Sequence, residues 1–185
     1  MISLMKIIGI TGTNASWKGT IVDYLVQHKQ FVHYSVRAFL IQELEKRGLP
    51  VDRDQMRDLA NELRANYGAS YIIEQLYLQA KEKGENAIIE SIRAVGEVEK
   101  LKQYDDFLLL AVDADQQQRY QRILQRGSET DHVSFEEFQE QEKKEMSNTD
   151  PAKQNISSCM KMADIMIYNN GTFEDLYQQL DEIFG

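Results

Sequence analysis

Short apolar runs alternate along the chain with longer stretches in which apolar positions recur every three or four residues. Lys6-Ile-Ile-Gly-Ile-Thr11 is a brief β-branched run closed by a Gly-containing turn, which predicts a buried strand. Over residues 18–29, Ile21, Val22, Leu25 and Val26 share one helix face. Phe31-Val-His-Tyr-Ser35 predicts a second short strand, and residues 36–47 a helix ended by Gly48, Leu49 and Pro50. Two polar helices follow over 54–67 and 70–83, broken at Gly68. Asn86-Ala-Ile-Ile-Glu-Ser91 is a third strand, leading into a helix through Glu97 to Gln103. Phe107-Leu-Leu-Leu-Ala-Val112 is the most apolar strand of all. A helix with a basic face spans 115–126, and an acidic one spans 134–146, opened by Ser134 with Glu137 three residues on. Ala163-Asp-Ile-Met-Ile-Tyr168 is the last strand and 172–184 the last helix.

Buried-type strands alternating with helices predict right-handed βαβ units, hence an α/β fold with a central, mainly parallel five-stranded sheet and helices on both faces. The length of 185 residues fits one domain over 1–185. The net charge of −9 disfavours a general nucleic-acid or anionic-membrane binder, which needs a basic footprint, yet leaves room for a local phosphate pocket. Cys159 is the only cysteine, so no intrachain disulfide forms, and His28, His33 and His132 stand too far apart for a metal motif. The apolar runs Leu4 to Ile10 and Phe107 to Val112 fall far short of the roughly 20 residues of a membrane span, and no small-residue cleavage site follows Ile10. The expectation is a cytoplasmic protein, a monomer or weak homodimer, with neither nucleic acid nor membrane as partner.

Gly12-Thr-Asn-Ala-Ser-Trp-Lys-Gly-Thr20 lies between the first strand and the first helix, where a Walker A loop belongs. Backbone N–H groups at such a helix N-terminus bind phosphate oxygens, a lysine neutralises them and a hydroxyl reaches Mg²⁺. Gly12 and Lys18 have the required spacing and Thr20 offers the hydroxyl, but Trp17 stands where the motif places glycine, and Ala15 is a second candidate for a lost one. A tryptophan there either points outward or occupies phosphate space. Three readings stand: a modified loop that still binds phosphate, a degenerate loop in a nucleotide-free protein, and coincidence. Trp17 itself reads as a loop-filling side chain or as a platform for a nucleobase.

With these residues the chain resembles the P-loop nucleoside monophosphate kinases. Lys18-Gly19-Thr20 is similar to the adenylate-kinase form of the loop, and Tyr34-Ser35 resembles the start of that family's acceptor-binding segment. Ile88-Ile-Glu-Ser-Ile-Arg93 resembles the strand and turn that bring an acidic group and an acceptor-phosphate arginine beside the loop. Arg119, Arg122 and Arg126 resemble the basic helix before a short lid. Ala163 to Gly171 resembles the closing strand and base-side loop of adenylate kinases and, more closely, of dephospho-CoA kinases. The resemblance runs from Lys6 to the C-terminus. It implies a P-loop NTPase-type three-layer sandwich with an acceptor-binding helical segment at about 36–83 and a lid at about 119–135. It also implies ATP with Mg²⁺ as donor and a small-molecule nucleotide acceptor. One departure is Val36-Arg-Ala-Phe39, where these kinases commonly place an acidic residue and this chain has Arg37 and Ala38.

On this reading Gly12, Thr13, Asn14, Lys18, Gly19, Thr20 and Arg119 bind the nucleotide, and Thr20 and Glu90 hold the metal. Lys18, Glu90, Arg93 and Arg122 carry the chemistry, because phosphoryl transfer asks chiefly for positioning and charge neutralisation. Each has a plainer alternative: a helix-start lysine for Lys18, a first-turn hydroxyl for Thr20, a structural pair for Glu90 and a surface salt bridge for Arg93. Arg119, Arg122 and Arg126, at i, i+3 and i+7, either clamp a phosphoryl group or pair with the acidic helix. Asp113 and Asp115 read as helix caps, His33 as a packed or surface histidine, and the Glu136 to Glu145 cluster as a solvated face. Asn169-Asn170-Gly171 is a turn able to frame a base. The functional expectation is an ATP-dependent phosphotransferase acting on a nucleotide or nucleotide-like monophosphate. The alternatives are a catalytically impaired relative that binds nucleotide or protein, and an ATPase that gates a partner.

Overall fold

The computed structural model describes residues 6–127 and 133–185; His132 and the middle of the expected lid, 128–132, lie outside the described residues, as do residues 1–5. Five parallel strands form one sheet in the order β2-β3-β1-β4-β5: β1 Ile7–Gly12, β2 Val32–Tyr34, β3 Ala87–Ile89, β4 Phe107–Asp113 and β5 Ile165–Tyr168. Residues along these strands alternate between two cores, as the two-residue period of a strand requires. Ile7, Ile89 and Leu109 face α4 (Tyr71–Lys83), α5 (Val95–Leu101) and α8 (Ile156–Lys161). Ile8, Ile10, Ile88, Leu110 and Ile167 face α1 (Lys18–His28) and α9 (Phe173–Phe184). This is the three-layer α/β sandwich expected. It also explains the apolar run from Phe107 to Val112, since β4 is covered on both faces from Leu109 to Val112, although Leu108 at its start is exposed.

Gly9 belongs to the first face. A Cβ there would stand 2.3 Å from Ile92 Cδ1 and 2.6 Å from the Phe107 ring, so glycine lets both side chains close over the sheet. A third apolar cluster joins α2 (Val36–Lys46), α3 (Arg53–Tyr67) and α4 through Leu40, Leu44, Leu59, Leu63 and Ile72. The chain continues through α6 (Gln116–Arg126) and α7 (Phe135–Met146).

Boundaries follow side-chain chemistry. Ser35 ends the second strand because its hydroxyl accepts the Ala38 N–H at 3.0 Å and opens α2. Asp115 opens α6 by accepting the N–H groups of Gln117 and Gln118, the capping role read from sequence. The short α8 was not legible as a helix: its capping residue Asn155 receives the Ser158 N–H at 3.0 Å, but its six residues contain too little periodicity to detect. Among the described residues no helix is long and apolar enough to cross a membrane.

Candidate functional site

β1, β3 and β4 are neighbours in a parallel sheet, so residues 12–20, 90–93 and 113 meet at its carboxyl edge. Gly12 turns out of β1 at φ +138°, where a Cβ would lie 2.0 Å from the Val112 carbonyl oxygen. The loop is tied down along its length. Thr13 N–H donates to Val112 O (3.2 Å) and its hydroxyl to Asp113 (2.8 Å), while the Ser16 hydroxyl donates to Thr13 O (2.8 Å). The buried Asn169 side-chain amide then donates to Ser16 O at 3.1 Å.

Ala15 and Trp17 both occupy the left-handed region, with φ of 58° and 68°, at positions where glycine would carry no strain. The Trp17 ring points away from the cavity beside Lys18, so of the two placements open to a tryptophan there it takes the outward one. It stacks on Phe173 at 4.1 Å and 15°, and the Arg122 guanidinium lies over it at 3.9 Å. Arg122 also donates to the carbonyls of Ala15 (3.3 Å) and Asn169 (2.8 Å). One guanidinium therefore touches both strained residues and the turn after β5.

Inside the loop lies a cavity of about 220 Å³ lined by Gly12, Asn14, Lys18, Glu90, Arg93 and Glu145, among others. The first N–H groups of α1 have no carbonyl within the helix to receive them and form the usual anion-binding end. Lys18 Nζ curls back onto the loop, donating to the carbonyls of Gly12 (3.0 Å) and Thr13. Burial, helped by the Arg93 guanidinium, pulls the Lys18 ammonium down to about 8, against the opposing pull of Glu145 and Glu90. Glu90 pairs with His33 Nε2 at 3.4 Å, which holds the carboxyl below its usual range and the imidazole above its own. Ser91, next in the chain and also facing the cavity, has φ 72°. Of the four non-glycine residues with positive φ, Ala15 and Trp17 lie in the loop and Ser91 on the cavity wall, while Gln30 stands apart; strain of this kind is associated with functional sites.

Gly12, Asn14, Lys18, Glu90 and Arg93 are brought together here. Thr13 is buried beneath the loop against Asp113, and Gly19 and Thr20 stand in the first turn of α1. Arg119, 3% exposed, is held by Glu142 through both terminal nitrogens, one at 3.0 Å, and its Nε donates to Ala114 O at 2.8 Å. Arg122 sits on Trp17, as described. The acidic helix therefore turns Glu142 and Glu145 inward, where sequence reasoning had a solvated face; their spacing of three is too ordinary a signal to mark them. Ser91 and Phe173 likewise escaped notice, since neither a positive φ nor a stacking partner is written in local sequence. Among the described residues no group of three or more His, Cys, Asp or Glu is placed to hold a metal ion, so a cation would rely on phosphate oxygens and one or two carboxylates.

Comparison with known proteins places this geometry. The UPF0200 protein of Methanococcus maripaludis strain C6 is 30% identical over 183 residues, 97% of this chain and 96% of its own. Shikimate kinase from Bacteroides thetaiotaomicron superposes with a TM-score of 0.59 at 12% identity, over 97% of this chain and 98% of that one. Dephospho-CoA kinase from Campylobacter jejuni gives 0.57 at 15% identity, over 96% and 94%. At these identities the two structures establish a fold, the kinase-like P-loop fold, and leave activity and substrate open. A family model for the AAA domain matches residues 8–148. The chain belongs to the AAA domain family and, across nearly its whole length, to the UPF0200 proteins.

Proposed function

We propose that this protein is an ATP-dependent phosphotransferase acting on a nucleotide or nucleotide-like monophosphate. The observation that carries the reading is Lys18: a partly buried ammonium at a helix N-terminus, with loop carbonyls as its hydrogen-bond acceptors, facing a cavity shared with Arg93 and Glu90. Such a group is poised to exchange weak neutral acceptors for phosphate oxygens. Mg·ATP, when bound, supplies the phosphoryl group. The loop from Gly12 to Thr20 and the α1 N–H groups hold its phosphates, and Lys18 faces the charge left on the departing diphosphate. Thr20 and Glu90 are the candidate cation ligands. Arg93 grips the acceptor's anionic group. Glu90, kept ionised by His33, takes the proton from the acceptor oxygen that receives the phosphoryl group. Arg119 and Arg122 reach the phosphates only by leaving Glu142 and Trp17.

A second reading has its own observation. Glu142 and Glu145 set carboxylates against the cations of the site, and Ala15 and Trp17 strain the loop, as in a kinase fold kept for nucleotide or protein binding without turnover. Isothermal titration of Mg·ATP into the wild-type chain, followed by an ADP-release assay with nucleoside monophosphates, separates the two. Micromolar binding with acceptor-dependent ADP release is expected. Binding with no release across acceptors supports the second reading, and no heat at all overturns the phosphotransferase reading and leaves only the protein-binding form of the second.

A further inference from the structure

A second cavity, of about 490 Å³, opens beside the first, and Ser91 and Arg93 line both. Three cations face it from separate parts of the chain: Arg64 in α3, Arg93 beyond β3 and Lys153 between α7 and α8. Their convergence is unusual for a chain of net charge −9. Elsewhere Arg47 is paired with Glu43 and Glu62, Arg57 with Asp54 and Asp58, and Arg119 with Glu142, while Arg37 and Arg53 make no ion pair among the described residues but do not line this cavity. Arg64 and Arg93 form no ion pair among the described residues, and Lys153 reaches only Asp150, at 4.0 Å on the surface. One buried carboxylate stands in the wall, Glu97: its Oε2 accepts the N–H groups of Arg93 (3.0 Å) and Ala94 (3.2 Å), and the Arg64 and Arg93 cations act on its charge without forming an ion pair with it, so two of the three cations share one carboxylate.

The wall is built, not incidental. Gly96 N–H donates to Pro151 O at 3.0 Å, Asn155 N–H donates to Arg93 O at 2.8 Å, and Ala94 bridges Gln154 in antiparallel fashion. These bonds fasten the segment carrying Lys153 to the one carrying Arg93. The rest of the lining is amide and methyl, from Asn61, Gln154 and alanines, and no aromatic ring lines the cavity among the described residues. A nucleobase would find nothing there to stack on, whereas a phosphate would find guanidinium donors and hydroxyls would find amides.

We infer that this cavity is the acceptor subsite and that it takes a sugar or polyol phosphomonoester by its phosphate and hydroxyls, without reading a nucleobase. The inference rests on the phosphotransferase reading of the adjoining cavity and narrows its acceptor.

The test is a set of calorimetric titrations of the full chain with AMP, CMP, ribose 5-phosphate and adenosine. The three phosphomonoesters are expected to bind within about threefold of one another and adenosine at least about tenfold more weakly. Arg64→Gln and Lys153→Gln, checked for an unchanged thermal midpoint, are each expected to weaken ribose 5-phosphate about tenfold, as befits loss of a charge-assisted bond. Adenosine binding as well as AMP overturns the inference, and so does AMP binding far more tightly than ribose 5-phosphate. Folded variants with unaltered affinity overturn it too. Mg·ATP titrated separately into the wild type tests the donor side: no heat there refutes the phosphotransferase reading, while the phosphomonoester titrations judge the anion site by themselves.

Discussion

Trp17 adopts a backbone conformation that its own Cβ opposes, and the molecule compensates by giving the ring two partners, Phe173 and Arg122. Replacing it by glycine relieves about 1 kcal/mol of left-handed strain but forfeits a half-buried stacked indole, a loss of about 3 kcal/mol. Trp17→Gly is therefore expected to lower stability by about 2 kcal/mol in urea unfolding. Because the ring lies outside the cavity beside Lys18, Trp17→Gly is expected to change Mg·ATP affinity by less than about threefold in calorimetric titration. Lys18 makes a different prediction. Its ammonium titrates near 8 in the free protein, against an ordinary 10.5, because burial disfavours the charge. Bound phosphate favours the charged form, so the complex holds more protons than the free protein above that pH. Mg·ATP affinity is expected to be level below about 8 and to fall as pH rises through it, with buffer-dependent proton uptake in calorimetry.

At the scale of elements, α6 and α7 are locked together across the site. Arg119 and Glu142 have side chains only 4% and 13% exposed, so neither finds water when its partner is removed. Arg119→Ala leaves Glu142, and the partly buried Asp113, without the guanidinium both rest on, and is expected to cost about 3 kcal/mol or more. Amide hydrogen exchange should speed up first in α7, where Gln116 also grips Glu142 (2.9 Å) and Gln139 (3.0 Å). Arg119→Lys should recover only part of the loss, since an ammonium cannot reproduce the forked contact. If exchange in α7 does not change, the helix is held by Phe138 and its aromatic neighbours alone.

Across the whole molecule the two cores share their strands. Ile7 and Ile8, Ile88 and Ile89, Leu109 and Leu110 point to opposite faces in turn, so neither core can dissolve without stripping the same hydrogen-bonded ladder. Urea unfolding followed by Trp17 fluorescence, which reports the α1–α9 face, and by far-ultraviolet circular dichroism should therefore show coincident midpoints. Separated midpoints would mean that the faces melt independently.

Apart from the short α8, the elements and their order were legible from residue chemistry, because strand and helix periods are local properties of the chain. The run from Phe107 to Val112 announces a strand largely covered on both sides, with Leu108 the exception, and Ser134 with Glu137 announces a helix start. The strand–loop–helix junction was legible for the same reason, as Gly12 ends the strand and Lys18 and Thr20 open the helix after a short loop. What the loop does with its tryptophan was not. Its outward position depends on Phe173 and Arg122, each more than 100 residues away, and on a φ that sequence alone leaves free. Nor could local pattern show that Glu145 faces Lys18, or that Arg64 and Lys153 share a cavity with Arg93. Those groups meet only where separate elements reach one sheet edge. Periodicity depends on neighbours three or four residues apart and survives in a single stretch of sequence, whereas charge convergence depends on distances that exist only after the chain has packed.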